Sequence, residues 1–398
     1  MEGTILVVNC GSSSLKIALF DEQLNKLASG LAERLGTDDG FATVKGRAER
    51  IELAAGADHQ DALNALVAVL QDSGLLDAAP AAIGHRVVHG GETFRAAALI
   101  NEDVLDAIKD CASLAPLHNP VNLTGIEATT ALFPSTPQVA VFDTAFHQTL
   151  PRKAYLYAVP LQLYKDWGVR RYGFHGTSHQ FMANEAARIL GKTPATTSII
   201  SAHLGNGCSI TAIRDGNSVD TSMGLTPLEG LVMGTRSGDV DPGLFDFLAQ
   251  KGVDSREVHR LLNNDSGLLG LSGQTNDMRS LCELADHGHE PSQTAIDVFC
   301  FRLARYIGAM MASLNRLDAL VFTGGIGENS SLVREKTLAH LSLFGFTIDD
   351  ELNNHHGSIS DGHIEGADSR FRVLVIPTNE ELVIAREALA SARPGIPG

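Results

Sequence analysis

Two distant stretches of the chain share one pattern, in which two apolar runs flank a loop of small residues. In the first stretch the apolar runs are 5–8 and 17–20, and in the second they are 198–204 and 210–213. An apolar run, a small polar turn and a further apolar run predict a β-hairpin. The same layout at two distant places predicts a duplicated architecture, in which each half presents a loop at the tip of a hairpin.

The loops of both hairpins carry groups that suit a phosphate. Asn9 to Lys16 combine small residues with three hydroxyls and an ammonium group, and the second loop is Gly205-Asn206-Gly207-Cys208-Ser209. Backbone N–H groups and positive charge can converge there because no bulky side chain blocks close approach. The first loop alone fits an ordinary Ser/Gly turn equally well, since short motifs match often by chance. The second copy favours two phosphate loops.

A third Gly-rich segment, 322–329, follows the apolar run 319–321. Glycine at a junction between strand and helix lets the backbone approach a ligand closely. Neither this segment nor the two loops matches GxxxxGK[ST] or GxGxxG, which argues against a P-loop or a dinucleotide fingerprint.

Between these segments, short apolar runs alternate with stretches of helical periodicity. This alternation predicts an α/β fold with mixed sheets. We expect strands at 82–88, 138–142 and 371–376, and helices at 61–70, 102–111, 120–132, 178–190, 292–314 and 380–390. A length of 398 residues suggests two domains. The candidate boundary lies at 146–151.

Composition narrows the classes of partner. A formal charge of −16 argues against a nucleic-acid surface, so an anionic substrate needs a local basic pocket. No apolar stretch is long enough to span a membrane, and the N-terminus leads directly into a strand without a signal segment. Five scattered cysteines without a CxxC pair favour neither a disulfide framework nor a thiolate metal site. A cytoplasmic protein is expected.

Several polar residues follow predicted strands or lie in Gly-rich loops. Arg86 and Arg236 offer planar forks for a carboxylate or a phosphate, although a lone arginine is more often a surface residue. His175 and His179, at a helix start, suit an anion site, a core position or, less well, a zinc site. Asp143 ends a predicted strand and could hold a hydrated Mg²⁺ or cap a helix.

The motifs resemble, in order and almost end to end, those of the acetate kinase family, within the sugar kinase, actin and Hsp70 ATPase superfamily. The matching segments are NCGSSSLK, GHRVVHGGETF, FDTAFH, RRYGFHGTSH, SAHLGNGCSI, GTRSGDVDPG, FTGGIGENS and PTNEELVIAR. Most of the superfamily has Asp where this chain has Asn9, and acetate kinases have Asn. The resemblance implies an α/β, duplicated ribonuclease H-like (actin-like ATPase) fold with two lobes and an active-site cleft between them.

The resemblance also implies domains, reaction and partners. Residues 1–146 plus 381–398 would form the N-terminal lobe with the first phosphate loop. Residues 147–380 would carry the second loop, the adenosine site and a homodimer interface. The reaction would be ATP + acetate ⇌ ADP + acetyl phosphate by direct in-line transfer, with Mg²⁺, for which Mn²⁺ can substitute, and without nucleic-acid or membrane partners.

Site residues are carried over by motif. The resemblance implies a catalytic set of Asp143, His175 and Arg236, and metal support from Asn9 and Glu380. Acetate would be bound by Arg86 and by an apolar pocket of Val88, Leu117, Phe174 and Pro227. The nucleotide would be bound by Ser12, Ser14, Lys16, His203, Leu204, Gly205, Asn206, Gly207, Asp277, Met278, Arg279, Gly325, Ile326, Gly327, Glu328 and Asn329.

The chemistry constrains these roles further. A carboxylic acid has a pKa of roughly 4 to 5, so the nucleophile is already an anion and needs no strong base. Catalysis must instead position two anions and stabilise charge on the transferring group. We therefore expect Asp143 to orient a metal ion or an arginine. Two alternatives stay open, namely a propionate or butyrate kinase and a non-enzymatic, actin-like ATP-binding module.

Overall fold

The structure is a computed structural model that describes residues 3–47, 49–116 and 118–393. The chain divides into two compact units. Unit 1 runs to Phe146 and resumes at Asn379, and unit 2 is His147–Thr378. The functional labels that we gave to the two parts of the chain stay predictions.

Thirteen strands occur in the described residues. They are β1 (Ile5–Gly11), β2 (Ser14–Phe20), β3 (Lys26–Glu33), β4 (Phe41–Val44), β5 (Ile51–Glu52), β6 (Ala82–Val87), β7 (Ala98–Leu99), β8 (Gln138–Phe142), β9 (Ile199–Leu204), β10 (Cys208–Arg214), β11 (Asn217–Thr221), β12 (Ala319–Thr323) and β13 (Arg372–Val375).

The same part of the chain contains fifteen α-helices. They are α1 (His59–Asp72), α2 (Glu102–Asp110), α3 (Asn119–Leu132), α4 (Arg152–Tyr155), α5 (Leu161–Trp167), α6 (Gly176–Ile189), α7 (Gly243–Gln250), α8 (Ser255–Asn264), α9 (Gly267–Ser272), α10 (Met278–Asp286), α11 (Glu290–Met311), α12 (Gly324–Asn329), α13 (Ser331–Ala339), α14 (Asp350–Asn354) and α15 (Glu380–Ala392).

Both sheets have the same core of five strands. In unit 1 the eight-stranded sheet has the order β5-β4-β3-β2-β1-β6-β8-β7, and in unit 2 the order is β11-β10-β9-β12-β13. In unit 1, β1 pairs antiparallel with β2 and parallel with β6. In unit 2, β9 likewise pairs antiparallel with β10 and parallel with β12. The predicted α/β fold and its duplication are confirmed.

The central strands are mostly apolar because helices cover both faces of the sheet. On β1, Leu6 and Val8 belong to the core that includes α1 and α3 side chains, whereas Ile5 and Val7 pack with α15. Side chains alternate between the two faces of a strand, so a strand buried on both sides shows a continuous apolar run. Polar side chains inside such strands therefore need buried partners, as His85 has in Gln138 and Ser201 in His179.

The predicted elements are present, with shifted ends. The helix that we placed at 178–190 begins at Gly176, and that at 292–314 is Glu290–Met311. The second shift follows from capping, because the His289 side chain accepts from the backbone N–H of Ser292 and starts the helix earlier. Capping groups fix helix ends more closely than periodicity does.

Two global features bear on the expected class of protein. All five cysteine thiols are free. Over the described residues, every helix is too short or too polar to cross a bilayer.

One buried histidine makes the stability of unit 1 sensitive to acid. His85 on β6 is 2% exposed, and its Nε2 lies 2.6 Å from Gln138 Oε1 on β8. Burial lowers the pKa of His85 to about 4, because the imidazolium would lose its hydration. The unfolded chain, with a histidine pKa of about 6.5, binds this proton first, so the free energy of unfolding falls as the pH falls from about 6.5 to about 4.

We expect His85→Gln to weaken this acid sensitivity. The variant should lose about 2 kcal/mol less stability than the wild type between about pH 7 and pH 5, because it has no imidazole to protonate on unfolding. Urea denaturation at both pH values measures the difference. His259→Gln, at an exposed position of α8, should retain the wild-type pH dependence. Equal losses in His85→Gln and wild type would contradict the interpretation.

Candidate active site

In unit 1, polar groups gather at the carboxyl ends of β1, β6 and β8. Arg86 donates to both carboxylate oxygens of Asp143, with Nη2–Oδ2 at 2.7 Å and Nε–Oδ1 at 3.1 Å. The Asp143 side chain is 2% exposed and that of Arg86 22% exposed. This two-point contact fixes the plane of the guanidinium and leaves one edge accessible to an anion.

Glu380 and Asn9 lie on the same side of this sheet. Burial lowers the pKa of Arg86, but the carboxylates of Asp143 and Glu380 more than offset burial and raise that pKa. Glu380 begins α15, and Val7 and Val141 pack against this helix. Because strand side chains alternate, Asn9 and Asp143 lie on the α15 face too. The structure thus brings the residues predicted for metal support to the sheet edge that carries Arg86.

Asp143 is the partner of an arginine rather than a helix cap. Its carboxylate meets Arg86 across two neighbouring strands. A buried carboxylate paired with a guanidinium stays ionised and is a poor proton acceptor. The geometry therefore supports an orienting role for Asp143, as the chemistry predicted.

Two asparagines of α3 hold the loop after β6, and sequence analysis missed both. Asn122 Oδ1 accepts from Val88 N at 3.1 Å, while its Nδ2 donates to Cys10 O. Asn119 Oδ1 accepts from His89 N, and its Nδ2 donates to His89 O. Both side chains are buried. Each satisfies backbone groups that have no partner strand beyond the end of β6. Two polar residues three apart on a mostly apolar helix are the signal that could have revealed them.

The first loop is a tight turn at the tip of the β1–β2 hairpin. Residues 12–13 form the turn, and Asn9 pairs in register with Lys16. Ser12 and Lys16 are exposed and Ser14 is half-buried. His59, at the start of α1, contacts the carbonyl oxygen of Gly11 through Nε2 at 2.7 Å and anchors the turn.

In unit 2, His175 and Arg236 converge on the second loop. A methyl group on Gly207 would lie 3.5 Å from His175 Cε1 and 3.6 Å from Arg236 Nη1, so both side chains end beside this loop. His175 precedes α6 in the left-handed region, at φ 55°. A residue with a Cβ adopts that conformation at a cost, and here it directs the ring towards Gly207.

Hydroxyls of two serines connect the histidines of this unit. Ser209 Oγ lies 2.9 Å from His175 Nδ1 and 2.7 Å from His179 Nε2, and Ser178 Oγ lies 2.8 Å from His203 Nδ1. Burial, together with the neighbouring His147 and His203, lowers the pKa of His179 well below its usual value. His179 is therefore a neutral core residue, and both of its ring nitrogens contact serine hydroxyls, Nδ1 that of Ser201 and Nε2 that of Ser209. Through Ser209 it orients His175.

A groove of about 860 Å³ adjoins the second loop. Its volume suits a nucleotide. Predicted residues that line it are Gly205, Asn206, Asp277, Met278, Arg279, Gly325, Ile326 and Asn329. Asn276, which also lines it, donates from Nδ2 to Asn206 Oδ1 and was missed, although it directly precedes a predicted residue.

Four other residues of unit 2 predicted for the nucleotide, His203, Leu204, Gly327 and Glu328, form the junction between β9, β12 and α12. Glu328 Oε1 accepts from the backbone N–H groups of Gly324 and Thr378, each at 2.9 Å. Gly324 has φ +77° and lies so close to Leu204 that a Cβ would come within 2.9 Å of its backbone. Only glycine fits such a position. The other three predicted residues are buried or nearly so, namely His203, Leu204 and Gly327. Together with Glu328 they pack where β12 leads into α12.

The residues predicted for an apolar pocket lie at different depths. Val88 and Phe174 are buried, and Pro227 is half-buried. The Pro227 carbonyl accepts from Arg236 Nη1 at 3.2 Å. Leu117 lies outside the described residues.

The donors of unit 1 fit a sparsely ligated magnesium ion. Within residues 3–47, 49–116 and 118–393, no three His, Cys, Asp or Glu side chains cluster as metal ligands. Mg²⁺ needs no such cluster, because it keeps several waters and binds one or two protein oxygens. The Asn9 amide and the Glu380 carboxylate are oxygen donors of that kind.

The duplicated fold and its nucleotide-sized groove define a nucleotide-binding protein of the ribonuclease H-like class. The model of the acetokinase family matches residues 4–386. The chain therefore belongs to the acetokinase family, as the motifs predicted.

Individual relatives cover nearly the whole chain. The chain is 52% identical over 390 residues to an acetate kinase of Chromobacterium violaceum, with 97% of this chain and 98% of the relative covered. It is similarly 54% identical over 391 residues to one of Ectopseudomonas mendocina, with 97% and 98% covered.

Solved structures show the same similarity. A propionate kinase from Francisella tularensis has a TM-score of 0.92 at 46% identity, covering 97% of this chain and 98% of that one. Porphyromonas gingivalis acetate kinase has a TM-score of 0.89 at 40% identity, covering 98% and 100%.

Proposed function

We propose that this protein catalyses reversible transfer of the γ-phosphoryl group of ATP to acetate, giving acetyl phosphate and ADP. The observation that carries the proposal is the convergence of His175 and Arg236 on Gly207, beside the nucleotide-sized groove. Two donors directed at one loop suit a transferring phosphoryl group. Acetate is the substrate named for the curated relatives.

The reaction requires little covalent chemistry from the protein. Acetate is already an anion, so the barrier comes from bringing two anions together and from charge on the transferring group. Arg86, held by Asp143, binds the carboxylate, and Arg236 with His175 stabilises the phosphoryl oxygens. The family resemblance assigns the methyl group to Val88, Leu117, Phe174 and Pro227. Because the chain has a net charge of −16, the anionic substrates must be attracted locally, and Arg86 and Arg236 supply that attraction.

The nucleotide and the metal complete the assignment. Residues of the groove bind ATP, and the two hairpin loops, including Ser12, Ser14 and Lys16, bind its phosphates. Asn9 and Glu380 support Mg²⁺, or Mn²⁺ in its place. When bound, the metal ion neutralises charge on the phosphates. The free thiols support a reducing, cytoplasmic location.

A propionate kinase is the second candidate. The similarity to the Francisella protein at 46% identity supports it, whereas membership of the acetokinase family leaves no support for a non-enzymatic ATP-binding module. Acetate and propionate differ by one methylene, which is worth only about 1–3 kcal/mol in a pocket.

The test of both candidates is acyl hydroxamate formation from ATP with acetate, propionate or butyrate. We expect Mg²⁺-dependent turnover and a kcat/KM for acetate at least about tenfold above that for propionate, the lower end of discrimination by one methylene. A higher kcat/KM for propionate would make the second candidate correct. No turnover with any acid would refute both.

The variant Arg236→Ala should lower kcat by about 10²-fold or more, because a preorganised donor to the transition state is lost. The hydroxamate assay at saturating ATP and acetate measures kcat. Arg256→Ala, at an exposed position of α8, serves as the matched control and should turn over like the wild type. Near-wild-type turnover by Arg236→Ala would refute its assignment.

We also propose that the protein is a homodimer, with α7 in the interface. This helix, GLFDFLAQ, has no buried residue, and Phe245 and Phe247 are 44% and 57% exposed. An apolar helix without a buried residue marks an interaction surface. The family resemblance identifies a second copy of the chain as the occupant.

Phe247→Glu should shift the protein from dimer to monomer, because a charge would be buried in an apolar contact. Size-exclusion chromatography with light scattering gives the mass. Leu343→Glu, at a side chain that is 91% exposed outside α7, should remain dimeric. A dimeric Phe247→Glu variant would exclude α7 from the interface.

A further inference from the structure

Tyr157, Arg171 and Glu229 form a network that we call the Glu229 network. Arg171 Nη2 donates to Glu229 Oε1 at 2.5 Å, and the Tyr157 hydroxyl donates to Glu229 Oε2. Arg171 Nη1 also donates to the backbone carbonyls of Thr221, at 2.9 Å, and Ser222, at 2.8 Å. The Glu229 carboxylate thus joins the loops that carry Tyr157 and Arg171, and Arg171 links them to the end of β11.

The network holds a segment that has no regular structure. Residues 222–242 form neither helix nor strand, yet they carry Pro227 and Arg236. Such a segment lacks the hydrogen-bond ladders that order helices and sheets, so side chains must satisfy its backbone and offset its conformational entropy. The Tyr157 hydroxyl accepts from Leu225 N at 2.8 Å, and this contact anchors the segment near its start.

A second carboxylate fixes the far side of the same segment. Asp239 Oδ1 accepts from Gly230 N at 2.9 Å, and its Oδ2 accepts from the Tyr306 hydroxyl at 2.5 Å. The backbone of Asp239 returns the contact to Gly230. Residues 230–239, which include Arg236, are therefore closed into a loop whose base adjoins Glu229.

Contacts lead from Glu229 to Arg236. Pro227 lies between the two anchored residues Leu225 and Glu229, and its carbonyl accepts from Arg236 Nη1. Gly224 packs so closely on Glu229 and Tyr157 that any Cβ would overlap their oxygens. The position of the Pro227 carbonyl, and with it the direction of the guanidinium, therefore depends on where Glu229 is held.

We propose that Glu229, fixed by Arg171 and Tyr157, is a positioning residue that aligns Pro227 and Arg236 for the reaction. The inference rests on the proposed function, because it assigns these two residues to acetate and to the phosphoryl group. The nucleotide groove is lined from the second loop, α10, α12 and α13. Residues 222–242 do not line it, but Gly234 N of that segment donates to Asn206 O of the second loop at 2.9 Å. The network should therefore affect acetate and turnover much more than ATP affinity.

A purely structural role would give a different result. The Arg171 and Glu229 side chains are 17% and 31% exposed, so the pair is largely buried and removal of one charge also lowers stability. Small displacements of a positioned group are costly for catalysis as well, and about 1 Å can cost about 10²-fold in rate. A purely structural role would lower the melting temperature without a selective effect on acetate, whereas misalignment changes the acetate kinetics of the folded enzyme.

The test compares Glu229→Gln and Tyr157→Phe with a matched control. Glu229→Gln keeps the shape and removes the charge, and Tyr157→Phe removes one hydroxyl while the ion pair stays. Asp318→Asn is the control, since Asp318 holds Lys192, Arg316 and Ser198 N at the other end of the unit 2 sheet. For each variant, kcat, the KM for acetate, the KM for ATP and the melting temperature are measured.

We expect Glu229→Gln to lower kcat/KM for acetate by about 10- to 100-fold and to leave the KM for ATP within about twofold of the wild type. Tyr157→Phe should show the same pattern more weakly, and it decides the question if Glu229→Gln does not fold. Asp318→Asn should keep wild-type kinetics. Wild-type kinetics in both network variants, or an equal rise in both KM values, would overturn the inference.

Hydrogen exchange separates this inference from the proposed function. The activity of the wild type reports on the function alone, whereas exchange of the amides in residues 222–240 requires no turnover. These amides should exchange faster in Glu229→Gln than in wild type, because the anchor of the segment is weakened. Unchanged exchange would overturn the inference even if the wild type is a fully active acetate kinase.

Discussion

Coverage of both sheet faces by helices is the constraint on which the rest of the structure depends. Because α1 and α3 pack on one face of β1 and α15 on the other, a polar side chain inside the sheet needs a buried partner, as His85 has in Gln138, and charged side chains lie towards the strand ends. Asn9, Arg86 and Asp143 all lie towards those ends. The same edge receives the first turn of α15, which brings Glu380 to Arg86. Burial thus places the polar candidate site residues of unit 1 together at the carboxyl ends of its central strands.

Charge in this protein is arranged locally. The chain carries −16 overall, yet its candidate anion-binding groups are arginines in fixed orientations. Arg86 is fixed by Asp143, and Arg236 is fixed by a backbone carbonyl. A guanidinium held in this way needs no reorganisation when an anion arrives, and preorganisation of this kind is the largest contribution to many enzymatic rate accelerations.

Neutral hydroxyls perform the corresponding task for the histidines. Ser209 lies between His175 and His179, and Ser178 contacts His203. Burial disfavours the imidazolium of His179, so this ring stays neutral, whereas the rings of His175 and His203 end beside the second loop. The backbone of His175 is in the left-handed region, and packing and hydrogen bonds hold its ring in place at modest electrostatic cost.

The sequence by itself determined the duplicated hairpins, the alternation of strands and helices, the family and the position of Asp143 at a strand end, because periodicity and short motifs are local properties of the chain. The tertiary structure alone decided the partners. Asp143 meets Arg86 from 57 positions away, and the Glu328 carboxylate joins Gly324 to Thr378, 50 positions further along. Glu229 had no motif to mark it. Ion pairs and buried hydrogen bonds link residues whose separation in sequence carries no periodic signal, so only the folded chain shows them.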